Sequence, residues 1–243
     1  MFKFYEVGGC VRDEILELKS KDIDYAAVPN ESLIQRYKSA HEMFVVLETY
    51  LSNEKFEIFL STPDCFTIRA RFPQGHKYQG VADFVMARKE IGYVEGTRQP
   101  IIVPGTLYDD LERRDFTLNA LAKDEDGNII DFFNGIDALK RGQLITPLDC
   151  KKTFDDDPLR ILRAIRFCIT KGFYMDSYML GVIQDYDYAN KMEVVSMERI
   201  REELFKCFKH NTIMTLWYLH EFKSLRNYIF EGGELWLKPT MEK

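Results

Sequence analysis

Two aspartates one residue apart, Asp22 and Asp24, stand in the segment KDIDYAAV. Its apolar run has the character of a β-strand, and on a strand the side chains at i and i+2 share a face. Both carboxylates can therefore grip one cation or a pair, and an all-oxygen donor set of this kind suits magnesium. Metal on shared carboxylates can activate an attacking hydroxyl and neutralise a leaving pyrophosphate. The alternative is a solvated strand end. Upstream lie Gly8 and Gly9, with Arg12 and Asp13 after them. Glycine lets a backbone approach phosphate closely, a helix start offers free N–H groups, and Arg12 can add a fork of donors. An ordinary strand–helix turn is the competing explanation. Order favours the first: glycine turn, short helix, then a strand carrying Asp-x-Asp is what a triphosphate cradle beside a metal site needs. Asp83, within VADFVMAR, is an acid among apolar residues, a costly position unless it is paired or metal-bound. It is either a third metal carboxylate or half of a salt bridge to Arg88 or another base.

Two further clusters carry charge at short spacing. Arg113–Arg114–Asp115 runs into FTLNALA; Asp115 can cap a helix there, and the arginines can instead meet phosphate or ribose oxygens. Asp156–Asp157–Pro158–Leu159–Arg160 is followed by Arg163 and Arg166. This is either a capped helix with a solvated basic face or a device for reading bases. A carboxylate accepts from an amino group and a guanidinium donates to a ring nitrogen. Cytosine and adenine present that amino donor beside a ring-nitrogen acceptor, whereas guanine and uracil present a carbonyl beside an N–H. One Asp–Arg pair can thus accept C and A and leave G and U with unpaired groups.

The elements that must position these residues are legible in outline. FKFYEVGG is a strand ending in a glycine turn, VRDEILELK a short helix, and KDIDYAAV the returning strand. FEIFLS, TIRARF and VADFVMAR are further strands, with PQGHKYQG a loop between the last two. FTLNALA is expected to be a helix and GNIIDFF a strand. Near residue 147 the character changes. LRILRAIRFCIT has a helical apolar stripe, with Asp157 suited to cap it and Pro158 to open it. MERIREELFKCFKH and IMTLWYLHEF are further helices. The expected class is α+β: a head with a mixed β-sheet over 1–146, then an all-helical neck over 147–243 with a short C-terminal remnant.

Composition narrows the classes. The 243 residues hold 33 Lys and Arg against 39 Asp and Glu, a net charge of −6. All the excess acid lies in 1–146, so the chain is no general basic coat for nucleic acid. Cys10, Cys65, Cys150, Cys168 and Cys207 form no CxxC, which argues against a disulfide framework or thiolate zinc site and fits a reducing cytoplasm. No stretch has the roughly 20 apolar residues of a membrane span, and the N-terminus reads as no secretory signal.

GGCVRD, DIDY, LERRDFTLNALA and DDPLRILRAIRF, in that order, resemble the class II tRNA nucleotidyltransferases (CCA-adding enzymes) and bacterial poly(A) polymerases of the DNA polymerase beta-like superfamily. The likeness runs from about residue 4 to 210. It implies a nucleotidyltransferase head and a helical neck, with Asp22 and Asp24 as catalytic magnesium ligands. It places Gly8, Gly9 and Arg12 at the triphosphate, Arg114 and Asp115 at the sugar and phosphates, and Asp157 and Arg160 as the protein template for the base. By the same likeness Arg163 and Arg166 would support nucleotide binding. KEIGYVEGTRQPIIVPG looks like the family's mobile loop. The chain departs from the pattern at Asp156, where Glu is usual, and at Ile145, where Arg is common; little of the family's helical body and tail is expected. The implied activity is template-independent, magnesium-dependent addition of CMP and AMP from CTP and ATP to an RNA 3′ end, foremost the CCA end of tRNA. A poly(A) polymerase, or an enzyme adding only C or only A, is a rival within the class. A catalytically silent RNA- or nucleotide-binding module is a rival outside it; retention of Asp22, Asp24 and the template pair argues against that module.

Overall fold

The chain divides into two compact units, Met1–Asp137 and Ala138–Lys243. The computed structural model describes residues 1–20, 23–37, 39–93 and 100–232. In the first unit the strands are β1 (Phe2–Val7), β2 (Ile23–Pro29), β3 (Glu57–Thr62), β4 (Thr67–Arg71), β5 (Val81–Met86), β6 (Arg88–Tyr93), β7 (Pro100–Pro104), β8 (Leu121–Lys123) and β9 (Ile129–Asp131). The helices are α1 (Gly9–Ile15), α2 (Glu31–Arg36), α3 (Ala40–Asn53), α4 (Leu107–Glu112) and α5 (Gly135–Arg141), whose last turns pass into the second unit.

Seven strands form one sheet in the order β3-β4-β5-β2-β1-β8-β9, and β6 pairs with β7 in a separate ribbon. Within the sheet β2 and β5 run parallel and the other neighbours antiparallel, so the sheet is mixed as expected. Strand alternation gives it two different faces. On β5, Ala82, Phe84 and Met86 are buried while Val81, Asp83 and Val85 are half-buried. The buried set joins Met43, Phe44, Leu47 and Leu51 of α3 in the larger core. The opposite face carries Val7, Ala26, Ala120 and Ala122 under Leu107 and Leu111 of α4.

Two segments differ from the sequence expectation. The expected helix at FTLNALA is a single 3₁₀ turn, Thr117–Asn119, followed at once by β8. Leu121–Lys123 pairs with both β1 and β9, and that two-sided ladder outweighs the local helical pattern. The helix α3 has no counterpart in the sequence analysis. Its signal is a reciprocal cap: Ser39 Oγ accepts from the Glu42 N–H at 3.1 Å, and Glu42 Oε2 accepts from the Ser39 N–H at 3.3 Å.

The second unit holds β10 (Gln143–Leu144), α6 (Cys150–Asp156), α7 (Leu159–Lys171), β11 (Tyr174–Met175), α8 (Ser177–Gln184), α9 (Tyr188–Lys191), α10 (Met197–His210), α11 (Thr212–Glu221) and α12 (Lys223–Asn227). Its only sheet pairing among the described residues is the two-residue parallel contact of β10 with β11. The expected helices at LRILRAIRFCIT, MERIREELFKCFKH and IMTLWYLHEF are α7, α10 and α11. α7 buries Leu159, Ile161, Leu162, Ala164, Ile165 and Phe167 and leaves Arg160, Arg163 and Arg166 on the remaining stripe. Among the described residues no helix is long and apolar enough to cross a membrane.

Leu47 is fully buried on α3, whereas Val45 on the same helix is 57% exposed. Leu47→Ala is expected to cost about 2–5 kcal/mol through lost burial and a residual cavity, and Val45→Ala within about 0.5 kcal/mol. Urea unfolding of the two variants side by side checks the assigned face of α3.

Candidate active site

The site is built around the turn that joins β1 to α1. Gly8 sits at φ +77°, a conformation L side chains rarely adopt. A Cβ there would also lie 2.6 Å from Arg114 Nη1. The backbone conformation therefore favours glycine, and any side chain there would also displace the Arg114 guanidinium packed against it. The Gly8 N–H donates to the Leu121 carbonyl at 3.1 Å and the Arg12 N–H to the Gly8 carbonyl at 3.0 Å, which locks the turn to β8 and starts α1.

Arg12 is buried and already engaged. Its Nε and Nη2 donate to Asp13 Oδ1 at 2.9 and 2.8 Å, and its Nη1 donates to Asn119 Oδ1 at 2.6 Å. Asn119 passes the contact on, since its Nδ2 donates to Asp115 Oδ1 at 2.9 Å. The same Asp115 oxygen accepts the Phe116 N–H at 2.8 Å, so Asp115 shapes the 3₁₀ turn that carries Asn119. Gly8, Arg12, Arg114 and Asp115 are therefore brought together by one chain of hydrogen bonds and contacts. Gly9 lies beside them, where an added Cβ would stand 3.6 Å from Arg12 Nη2.

Two members of this network escaped sequence reasoning. Asn119 was passed over as part of an expected helix. Asp110 on α4 is fully buried and receives Arg113 Nη2 on Oδ1 at 2.5 Å and Arg114 Nη2 on Oδ2 at 3.0 Å. Burial alone would raise this carboxyl, but the two guanidiniums hold it at about 2. The available signal was spacing: an acid three and four residues before a pair of arginines shares their side of a helix. Arg114 Nη1 reaches the Asn119 carbonyl at 3.3 Å, while its Nε and Thr117 Oγ1 are buried without a hydrogen-bond partner among the described residues. Unsatisfied buried groups beside a glycine turn suit an incoming anion.

Asp24 stands next to this turn by strand register. It opposes Val7 of β1, the residue before Gly8, and Asp83 of β5 on its other side. Its sequence neighbours Ile23 and Tyr25 pack on the α3 face, as do Ala82 and Phe84 around Asp83, so both carboxylates occupy the opposite face. Asp83 is held by Arg69, Nε to Oδ1 at 2.7 Å and Nη2 to Oδ2 at 2.8 Å. The salt-bridge partner is Arg69 and not Arg88, whose Nη1 donates to the Cys65 carbonyl. Asp22 lies outside the described residues, and among those described no group of three or more His, Cys, Asp or Glu could hold a metal. Asp24 offers oxygen donors, which is the chemistry magnesium takes, whereas both Asp83 oxygens are engaged by Arg69. In the expected mobile loop, Arg88–Tyr93 and Pro100–Pro104 form the β6–β7 ribbon, and 94–99 lie outside the described residues.

In the second unit, Asp157 and Arg160 meet at the junction of α6 and α7. Asp157 Oδ1 accepts the Leu159 N–H at 3.2 Å and the Asp157 carbonyl accepts the Arg160 N–H at 3.0 Å, while α7 begins at Leu159 with Pro158 before it, one residue later than expected. Arg160 Nη1 donates to the Thr153 carbonyl at 3.2 Å, and Asp156 is paired with Lys152 at 2.8 Å. Arg163 and Arg166 follow on the same stripe over the Phe167 ring, 6.0 and 4.7 Å from its centroid. Arg166 Nε also donates to the buried Glu203 of α10 at 2.5 Å, and burial's upward push on that carboxyl is overcome by Arg166 and Lys206.

Residues 4–145 match the family model described as the poly(A) polymerase head domain. The chain is 33% identical over 207 residues to the multifunctional CCA protein of Nitrosomonas eutropha, covering 83% of this chain and 43% of that protein. It is 33% identical over 207 residues to the CCA-adding enzyme of Limosilactobacillus fermentum, covering 84% and 46%. Among solved structures it is similar to the Bacillus stearothermophilus CCA-adding enzyme in complex with CTP, with TM-score 0.65 and 26% identity over 86% of this chain and 45% of that one. The chain thus spans less than half the length of the curated relatives it matches.

The buried Asp110 carboxyl lies below its ordinary value of 3.8, so its contribution to stability is present above about pH 4 and is lost as pH falls through about 2. The shift corresponds to about 2 kcal/mol over that window. Asp110→Asn is expected to remove that pH-dependent component and to cost about 3–5 kcal/mol at neutral pH, because two largely buried cations lose their counter-ion. Urea unfolding of parent and variant from pH 7 down to pH 2 reads both effects; an unchanged pH slope would sink the assignment.

Proposed function

The chain belongs to the poly(A) polymerase head-domain family, and from that footing we propose that it carries the nucleotidyl-transfer centre of an enzyme that adds CMP and AMP, from CTP and ATP, to the 3′ end of tRNA. One observation carries the reading: strand register sets Asp24 beside the Gly8 turn, against which Arg114 packs. The matched relatives are named as CCA-adding proteins, which supports the choice of substrates.

In this reading the Gly8–Gly9 turn admits the triphosphate close to the backbone, and Arg114, oriented by Asp110, donates to its oxygens. Asp24 and Asp22 would hold magnesium, which when bound would supply acidification of the RNA 3′ hydroxyl and charge balance for the departing pyrophosphate. The hydroxyl oxygen attacks the α-phosphorus in line; the new O3′–P bond forms as the bond to the β-phosphate oxygen breaks. Asp115 and Asn119 hold the turn during this exchange through the contacts described above. Asp157 accepts from the exocyclic amino group of cytosine or adenine and Arg160 donates to the ring nitrogen beside it. Arg163, next on the stripe of α7, supports the nucleotide, and Arg166 does so from its seat on Glu203.

Asp24→Ala and Asp22→Ala are each expected to lower CTP and ATP incorporation into tRNA lacking its 3′ end by about 10³-fold, the rate equivalent of several kcal/mol of lost charge stabilisation. Full activity in both variants would refute the site. Sequencing the product 3′ ends separates CCA addition from poly(A), C-only or A-only products, and no turnover by the parent chain with magnesium supports the silent binding module.

Base choice is a separate test. Mispairing leaves buried groups unsatisfied at about 1–3 kcal/mol each. Arg160→Ala is therefore expected to erode discrimination against GTP and UTP by about 10-fold or more, measured as ratios of kcat/KM. Unchanged selectivity counts against the Asp–Arg template.

A further inference from the structure

Behind the Asp24–Asp83 strand pair, on the α3 face of the sheet, lies a cavity of about 290 Å³. Its walls are the rings of Phe4, Tyr25, Tyr50, Phe56, Phe72 and Phe84, with Leu51 and Pro73 between them. The rings brace one another: Tyr25 and Phe84 are stacked at 5.1 Å and 9°, Phe4 and Tyr50 at 5.5 Å and 24°, and Phe56 meets Phe84 edge-on at 5.1 Å. Such walls are rigid and favour a flat ligand that stacks. Two polar side chains complete the lining, His76 and Glu54.

Their hydrogen-bonding states are defined. His76 stacks on Phe72 at 4.6 Å and 14°, and its Nδ1 accepts the Tyr78 N–H at 3.1 Å. An Nδ1 that accepts carries no proton, so in the neutral ring the proton sits on Nε2, which is a donor. Glu54, at the end of α3, is an acceptor. Neither that Nε2, the Glu54 carboxylate, nor the hydroxyls of Tyr25 and Tyr50 has a side-chain hydrogen-bond partner among the described residues. Among the described residues no lysine or arginine lines the cavity. The lining therefore has no charge complement for a phosphate, and offers a planar molecule the Nε2 donor, the carboxylate acceptor and two hydroxyls that can do either.

We infer that this cavity is a second ligand site, taking a planar amino-bearing heteroaromatic ring of the adenine kind as a nucleoside or free base. The ring stacks among Tyr25, Phe56 and Phe84, its exocyclic amino group donates to Glu54, and its ring nitrogen accepts from His76 Nε2. Tyr25 and Phe84 oppose each other in strand register, and so do their predecessors Asp24 and Asp83. The cavity floor is thus the reverse side of the strand pair that carries the acidic residues. None of the described residues that line the cavity belongs to the glycine turn or is Asp157 or Arg160.

Adenosine is the probe, because without phosphates it does not engage the triphosphate cradle. Calorimetric titration of the full chain, held in saturating CTP to fill the proposed template site, is expected to show one adenosine site. Inosine, which inverts the donor–acceptor edge, should bind at least about 10-fold more weakly by loss of one such pair. Glu54→Gln and His76→Ala, checked for unchanged circular dichroism, should each weaken adenosine at least about 5-fold, while Arg160→Ala should leave it unchanged. The inference is overturned if adenosine gives no saturable signal in CTP, if inosine binds equally, if neither cavity variant alters the affinity, or if Arg160→Ala abolishes it. None of these readouts depends on turnover, so failure here and failure of the proposed reaction are distinguishable.

Discussion

A guanidinium keeps its charge when it is taken out of water, so it can be buried only beside an anion that stays ionised. Asp110 is that anion for Arg113 and Arg114. Its two oxygens are each taken by a different arginine, and one of them, Arg114, then lies against the Gly8 turn, where a side chain would have to displace it. The turn fixes where β1 ends, and β1 fixes, through register, where Asp24 lies. Asp110 thereby sets the spacing between the glycine turn and an acidic strand. A neutral amide in its place could match the shape but not the charge.

The second organising feature is the two-sidedness of the sheet. Consecutive residues on β2 and β5 serve opposite tasks: Asp24 and Asp83 face one side, and Tyr25 and Phe84 pack on the other. Burial of the aromatic members holds the strands in a single register, because a slip of one residue would send the carboxylates into the apolar core. The same alternation explains how Asp83 can sit amid apolar sequence: its neighbours point away from it, and Arg69 supplies its charge partner from β4.

These relations were unequally legible in the sequence. The glycine turn, the strand with Asp24, and the helix starting after Asp157 follow from period and turn chemistry, which are local. The 3₁₀ turn at Thr117–Asn119 does not, since its brevity is imposed by β8 pairing on both edges with strands far away in sequence. Asp110 was hidden for a related reason: an acid on a short helix is ordinary, and only tertiary burial turns its i+3 and i+4 arginines into obligatory partners. Asp83 was narrowed to two explanations, and the choice of Arg69 needed the antiparallel register of β4 with β5. The charges on α7 were legible as a stripe, yet nothing local marks Arg166 as the one that meets Glu203.

That division of the stripe bears on base selection. A protein template works only if its groups are held before the base arrives. Asp157 is held by the Leu159 N–H and Arg160 by the Thr153 carbonyl, each anchored to backbone at the joint of two helices. Arg166, two turns along α7, anchors the helix itself to α10 through a carboxylate that stays ionised against burial. The stripe therefore combines a fixed end on Glu203 with a pair of backbone-oriented groups at its start. Side chains alone on a solvated helix face would sample many rotamers and could not distinguish an amino group from a carbonyl in the same place. In the proposed reading, discrimination between C or A and G or U would depend as much on the α6–α7 joint as on the charges of Asp157 and Arg160.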